Sequence, residues 1–241
     1  MDIPTEIQHQ AMGYDRAATM FSPDGHLLQV EYAEKVVRFG SASIGLVCKD
    51  GVLIIADKRI RDKLIAGESA HKIFEIDEHL IASAAGILSD ARILIDYAQV
   101  LAQQNKVTYN SPIEPIAVIR MIADRKQVFT QYGGARPFGV ATMLAGISKG
   151  KGHLYTTDVT GNFTAYKANA IGEHDEKIKE ALRLDYKESM TIEEGIKFAL
   201  KIFKEILEKN FDLDRFEVAY VKLKQPKLVR LQGDELKKYM K

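Results

Sequence analysis

The fold class predicted by the sequence is α+β: a four-layer αββα sandwich with one added helix at its N-terminal side. Three observations predict it. Strand-patterned and helix-patterned segments come in blocks, in the order strands, two helices, strands, two helices, strands, whereas a parallel doubly wound sheet would alternate them. No linker divides the 241 residues, so residues 1–241 are expected to form a single domain with a sizeable core. Residues 14–40 carry a helix that is apolar over more of its girth than a surface helix needs.

Taken in order, residues 1–13 are polar and unpatterned, with Pro4 among them, and are expected to be mobile unless a partner orders them. Ser22-Pro23-Asp24-Gly25 is a turn: proline presets its own φ, aspartate can bond the backbone ahead and glycine tolerates positive φ. The helix that follows, over about 26–39, places Leu28, Val30, Tyr32, Ala33, Val36, Val37 and Phe39 on an arc of roughly 200°, against the usual stripe of about 100°. Such a helix needs cover on two sides, one from its own domain and one from a neighbouring subunit. Gly40 is expected to cap it in the left-handed conformation.

Residues 41–48 and 51–57 read as strands joined by a turn at Lys49-Asp50-Gly51. Further strands are expected at 72–77 and 79–85. Ile93, Leu94, Tyr97, Ala98 and Leu101 then recur at helical spacing over 88–104. A second helix is expected to open with Ser111 as N-cap and Pro112 at its first position, and to stop near Tyr132. Residues 137–147, 153–157 and 163–168 read as strands, with Thr160-Gly161-Asn162 as a turn. A helix over 173–186 follows, then one opened by a capping box of Thr191 and Glu194. Strands at 216–223 and 228–231 and a short charged helix from Asp234 close the chain.

Composition narrows the function classes. Lysine plus arginine total 34 and aspartate plus glutamate 33, so no basic field for nucleic acid is expected. The single cysteine, Cys48, excludes an internal disulfide and fits a reducing, cytoplasmic setting. No signal peptide and no run of about 18 apolar residues for a membrane is visible. Residues 146–152 imitate a phosphate loop but hold three residues between the glycines instead of four, with Gly152 where serine or threonine should hold magnesium, and are read as a turn between strands. His71 and His79 lack partners at metal spacing and are read as solvated or capping. No metal and no cofactor is expected.

Tyr14-Asp15-Arg16-Ala17, the Phe21-to-Gly25 turn and Gln29-Val30-Glu31-Tyr32-Ala33 together resemble the signature of proteasome α-type subunits of the archaeal kind. The segments at 51–57, 72–74, 86–92 and 131–140 resemble the same family in the same order. The resemblance implies the αββα fold of N-terminal nucleophile hydrolases. It also implies a subunit of a seven-membered outer ring of the 20S core, stacked on β subunits that hold the protease sites.

Three further roles follow from it. Tyr14, Asp15, Pro23 and Tyr32 would form a latch with a neighbour's copy and hold residues 1–13 off the pore, with Arg16 bonding the adjoining subunit or Asp15. Lys72 and Gly86 would receive the C-terminal carboxylate and backbone of an ATPase regulator's tail, and Tyr132 and Arg136 would lie on the neighbour's side of the latch contact. Unfolded proteins would pass through the pore. In catalytic relatives a threonine freed after glycine attacks the peptide bond, with its amine or a lysine as base. Gly40-Ser41 stands at that junction, with Asp57, Arg59 and Lys72 at the supporting positions. The helix before Gly40 reads as integral to the fold, so the chain is expected to be non-catalytic, and a self-processing hydrolase using Ser41 is the alternative.

Overall fold

The structure is a computed structural model that describes residues 11–59, 64–65 and 71–240; most of the expected gate segment, residues 1–10, lies outside them. After a short 3-10 turn at Tyr14–Arg16 and helix α1 (Leu28–Phe39) come strands β1 (Ser43–Cys48), β2 (Gly51–Asp57), β3 (Ile73–Asp77) and β4 (Leu80–Gly86). Helices α2 (Leu88–Tyr109) and α3 (Pro115–Gln131) follow, then β5 (Val140–Ser148), β6 (Lys151–Thr157), β7 (Phe163–Tyr166) and β8 (Ala168–Ile171). Helices α4 (Asp175–Asp185) and α5 (Ile192–Leu207), strands β9 (Phe216–Lys222) and β10 (Leu228–Gln232) and a 3-10 segment at Gly233–Tyr239 complete it.

Two five-stranded antiparallel sheets form, ordered β10-β9-β2-β1-β8 and β3-β4-β5-β6-β7. Alternation along each strand divides the core into three layers of contact. Ile54, Ala56, Ile81, Met143, Leu154, Ala219 and Val221 fill the space between the sheets. Ile44, Leu46, Leu53 and Val218 face α4 and α5 through Ile178, Leu182, Ile196, Leu200 and Phe203. Leu80, Ala84, Val140 and Leu144 face α2 and α3 through Leu94, Ala98, Val118, Ile119 and Ile122. The αββα order expected from the sequence is the one observed.

Several local expectations are corrected. Helix α3 starts at Pro115, not Pro112, and its N-cap is Glu114; the residue before a proline avoids helical angles, and Asn110 in the left-handed region has just ended α2. Residues 163–168 are not one strand. The chain pairs with β6 as β7, passes Lys167, and pairs with β1 as β8, so it changes sheets within a few residues. His79 is not solvated: it is buried, with Nε2 2.8 Å from the carbonyl oxygen of Ile113 and Nδ1 3.5 Å from Asp77. The 146–152 segment is a hairpin, with Lys149 and Gly150 at φ 50° and 71°, the paired positive φ of a two-residue turn.

Helix α1 packs on β4 and β5. Leu28, Val30 and Ala33 are buried, while Phe39 stays 77% exposed, so part of its apolar arc has no cover among the described residues. Gly40 does not cap it in the left-handed region; its φ and ψ are −67° and 145°. Glycine is needed there for another reason: a Cβ on Gly40 would stand 2.2 Å from the backbone nitrogen of Gly86. Among the described residues no helix is long and apolar enough to cross a membrane.

Candidate functional site

Ser41 lies between α1 and β1, where both sheets end against one loop. Its neighbour Gly40 is sealed on two sides. The Gly86 backbone lies against its α-carbon, and the Gly40 carbonyl accepts the N–H of Glu173 at 2.7 Å. Gly172, at φ 93°, would drive a Cβ to 2.6 Å from the Ser41 carbonyl oxygen. The Ala42 carbonyl accepts the N–H of Asp57 at 3.0 Å.

Onto this loop the Lys72 amine donates to both the carbonyl and the hydroxyl oxygen of Ser41. Lys72 is 5% exposed. Burial pushes its pKa down to about 7; Asp57 opposes that shift and Arg59 adds to it. The expected trio of Asp57, Arg59 and Lys72 is therefore assembled in one place, although Asp57 is anchored elsewhere. Its carboxylate takes Arg215 at 2.6 and 3.2 Å and the Arg59 N–H at 2.9 Å. Arg59, at φ 50°, pairs with Glu173 and reaches the carbonyl of Phe39 at 3.5 Å.

The backbone that carries Lys72 is fixed by a carboxylate that sequence reasoning missed. Glu217 on β9 is fully buried, accepts the N–H groups of Lys72 at 2.9 Å and Ile73 at 3.3 Å, and pairs with Arg230 and with His71 at 3.0 Å. A signal was available, since Glu217 shares the inward register of Ala219 and Val221 in an apolar strand. Buried carboxylates need this kind of pairing.

Gly86 has an intramolecular role of its own. At φ 120°, a Cβ there would fall 2.1 Å from the Gly139 carbonyl oxygen. Arg136 likewise has an intrachain partner, a two-pronged bond to Asp90 at 2.6 and 2.8 Å. Burial disfavours charge at Asp90, but the Arg136 and Gly139 N–H bonds outweigh it and hold its carboxyl below the usual range. Tyr132 is exposed at the end of α3.

In the latch segment Gly13 at φ 76° opens the turn at Tyr14–Arg16, and Gln29 on α1 donates to the Asp15 carbonyl. One carboxylate oxygen of Asp15 is buried with no hydrogen-bond partner among the described residues. Arg16 is exposed, Pro23 sits on an exposed turn closed by Gly25 N–H to Ser22 carbonyl at 2.9 Å, and Tyr32 is half-buried under the Lys35 amine. No group of three or more metal-ligating side chains gathers among the described residues.

A serine hydroxyl against an amine whose pKa is depressed is a pairing that can activate a nucleophile. Here the glycine that precedes Ser41 is built into the packing. Two stacked antiparallel sheets covered by helix pairs, with such a residue at the mouth, define the N-terminal nucleophile hydrolase class of fold. A family model for the proteasome subunit matches residues 37–221, and a second, for the N-terminal signature of A-type proteasome subunits, matches residues 14–35.

The chain belongs to the proteasome subunit family, among its alpha-type members. It is 42% identical over 229 residues to the proteasome alpha subunit of Methanosarcina acetivorans, covering 95% of this chain and 93% of the relative. It is 43% identical over 235 residues to that of Methanococcus maripaludis, covering 96% and 89%. To that of Archaeoglobus fulgidus it is 42% identical over 229 residues, covering 95% and 93%.

Proposed function

We propose that this chain is a non-catalytic outer-ring subunit of a cytoplasmic 20S proteasome core. It forms a seven-membered ring on β subunits, gates the passage of unfolded proteins with residues 1–13, and receives the C-terminal tails of an ATPase regulator at Lys72 and Gly86. The observation that carries the non-catalytic reading is the sealed Gly40–Ser41 junction: the residues before Ser41 are structural, so removing them to free a nucleophile would dismantle α1. The exposed Phe39 supports contact with a neighbouring copy. A flexible ammonium suits a carboxylate that arrives on a mobile tail.

The test is to assemble the chain with its β partner and delete residues 1–12. Hydrolysis of peptides too long to pass a closed pore should accelerate severalfold; an unchanged rate removes the gating role. The Lys72–Ser41 contact favours one rival, the self-processing hydrolase. Intact-mass measurement separates the two, because loss of residues 1–40 would demand the rival.

A further inference from the structure

Lys126 takes part in none of the roles above. It occupies the buried face of α3, following Ile119, Ile122 and Ala123 at helical spacing, and is 0% exposed. Its amine donates to the carbonyls of Val140 at 2.9 Å, Asp158 at 3.1 Å and Thr157 at 3.4 Å. The first acceptor opens β5; the other two lead from β6 into the turn at 158–162.

That turn is built to hold its shape. One Asp158 carboxylate oxygen accepts from the Thr160 N–H at 2.9 Å, the Thr160 hydroxyl at 2.6 Å and the Asn162 N–H at 3.0 Å. Gly161, at φ 89°, lies so close to α3 that a Cβ would meet the Ala123 carbonyl at 2.3 Å and the Gln127 nitrogen at 2.8 Å. These two contacts flank Lys126 along the helix. The turn's apolar residue, Val159, is 1% exposed and clusters with Val30 and Ala33 of α1.

We propose that Lys126 is a positioning residue for α1: by gripping three carbonyls around the turn it holds Val159 as a wedge beneath Val30 and Ala33. This goes beyond the ring-and-gate reading and does not depend on it. Burial pushes the amine's pKa down to about 7, with Asp158 opposing. A neutral amine keeps two N–H donors, enough for two of the three carbonyls, so part of the grip outlasts loss of the proton. A methionine could fill most of the volume but supplies no donor.

Hydrogen exchange on the full chain tests this, comparing the parent with Lys126→Met, Val159→Ala and the double variant. Amides at 30–37 should exchange about tenfold faster in each single variant, and should accelerate more than those of β2, β4 and β9, because local opening is read locally. The double variant should add nothing beyond the faster single one, since both act through one turn. Unchanged exchange of α1 in Val159→Ala would overturn the wedge. Unchanged α1 in Lys126→Met, acceleration spread evenly over the chain, or full additivity would overturn the role of Lys126.

Discussion

Lys72 and Lys126 are both driven by burial to a pKa of about 7, yet they sit in unlike surroundings. Lys72 stands at the mouth of the sandwich, against a hydroxyl and a carbonyl of Ser41, with Asp57 and Arg59 acting on its charge from either side. Lys126 is sealed between a helix and a turn, and its amine bonds to backbone carbonyls. Burial sets how readily each loses its proton; the neighbours set what the amine can do. Beside a hydroxyl and other charges it can take part in chemistry or docking, whereas among carbonyls it is a fastener.

The largest test of that contrast is truncation. Lys126→Ala should cost about 3–5 kcal/mol in urea unfolding, the loss typical of emptying a closed core site. Lys72→Ala, whose amine meets the half-buried Ser41 loop, should cost about 1–2 kcal/mol. Equal costs would break the distinction between sealed and mouth sites.

A smaller effect is the response to pH. Both folded pKa values lie below the ordinary lysine value of 10.5, so between pH 7 and that value the unfolded chain binds protons the folded chain has lost. Stability should therefore rise with pH through this window and lose these two contributions as pH falls back through it to about 7. The slope is bounded near 1.4 kcal/mol per pH unit for each lysine. Urea melts at pH 7 and pH 9 should show Lys126→Met and Lys72→Met each removing its share of the rise. Smallest of all, Ser41→Ala removes one of two acceptors from Lys72 and should cost about 1 kcal/mol, with no change at Lys126.

The contrast also shows what a sequence can reveal. The layers were legible because apolar runs and helical spacing report burial directly, as in the continuous run of β2 and the stripe of α5, and the capping box at Thr191 and Glu194 is a local bond visible in four residues. The start of α3 was misread because two prolines, Pro112 and Pro115, compete within one loop and only packing decides between them. The split at Lys167 was missed because β7 and β8 differ in partner, not in pattern.

At the site, Asp57, Arg59 and Lys72 could be named from resemblance. Arg215 and Glu217 could not, since their partners lie 158 and 145 residues away along the chain. Lys126 did leave a trace: a lysine on the apolar stripe of a helix is either mispatterned or buried with partners. Here it is the second.

The glycines at 40, 86, 139 and 172 have a consequence for how α1 can move. Where Gly40 meets Gly86, and Gly86 meets Gly139, main chain lies directly on main chain. Side chains can hop between rotamers and absorb a small displacement; a peptide plane cannot. The base of α1 therefore has no graded set of intermediate fits against β4. It behaves as a seat with a hard floor, so a displacement of the helix at that end cannot be taken up by side-chain rearrangement alone.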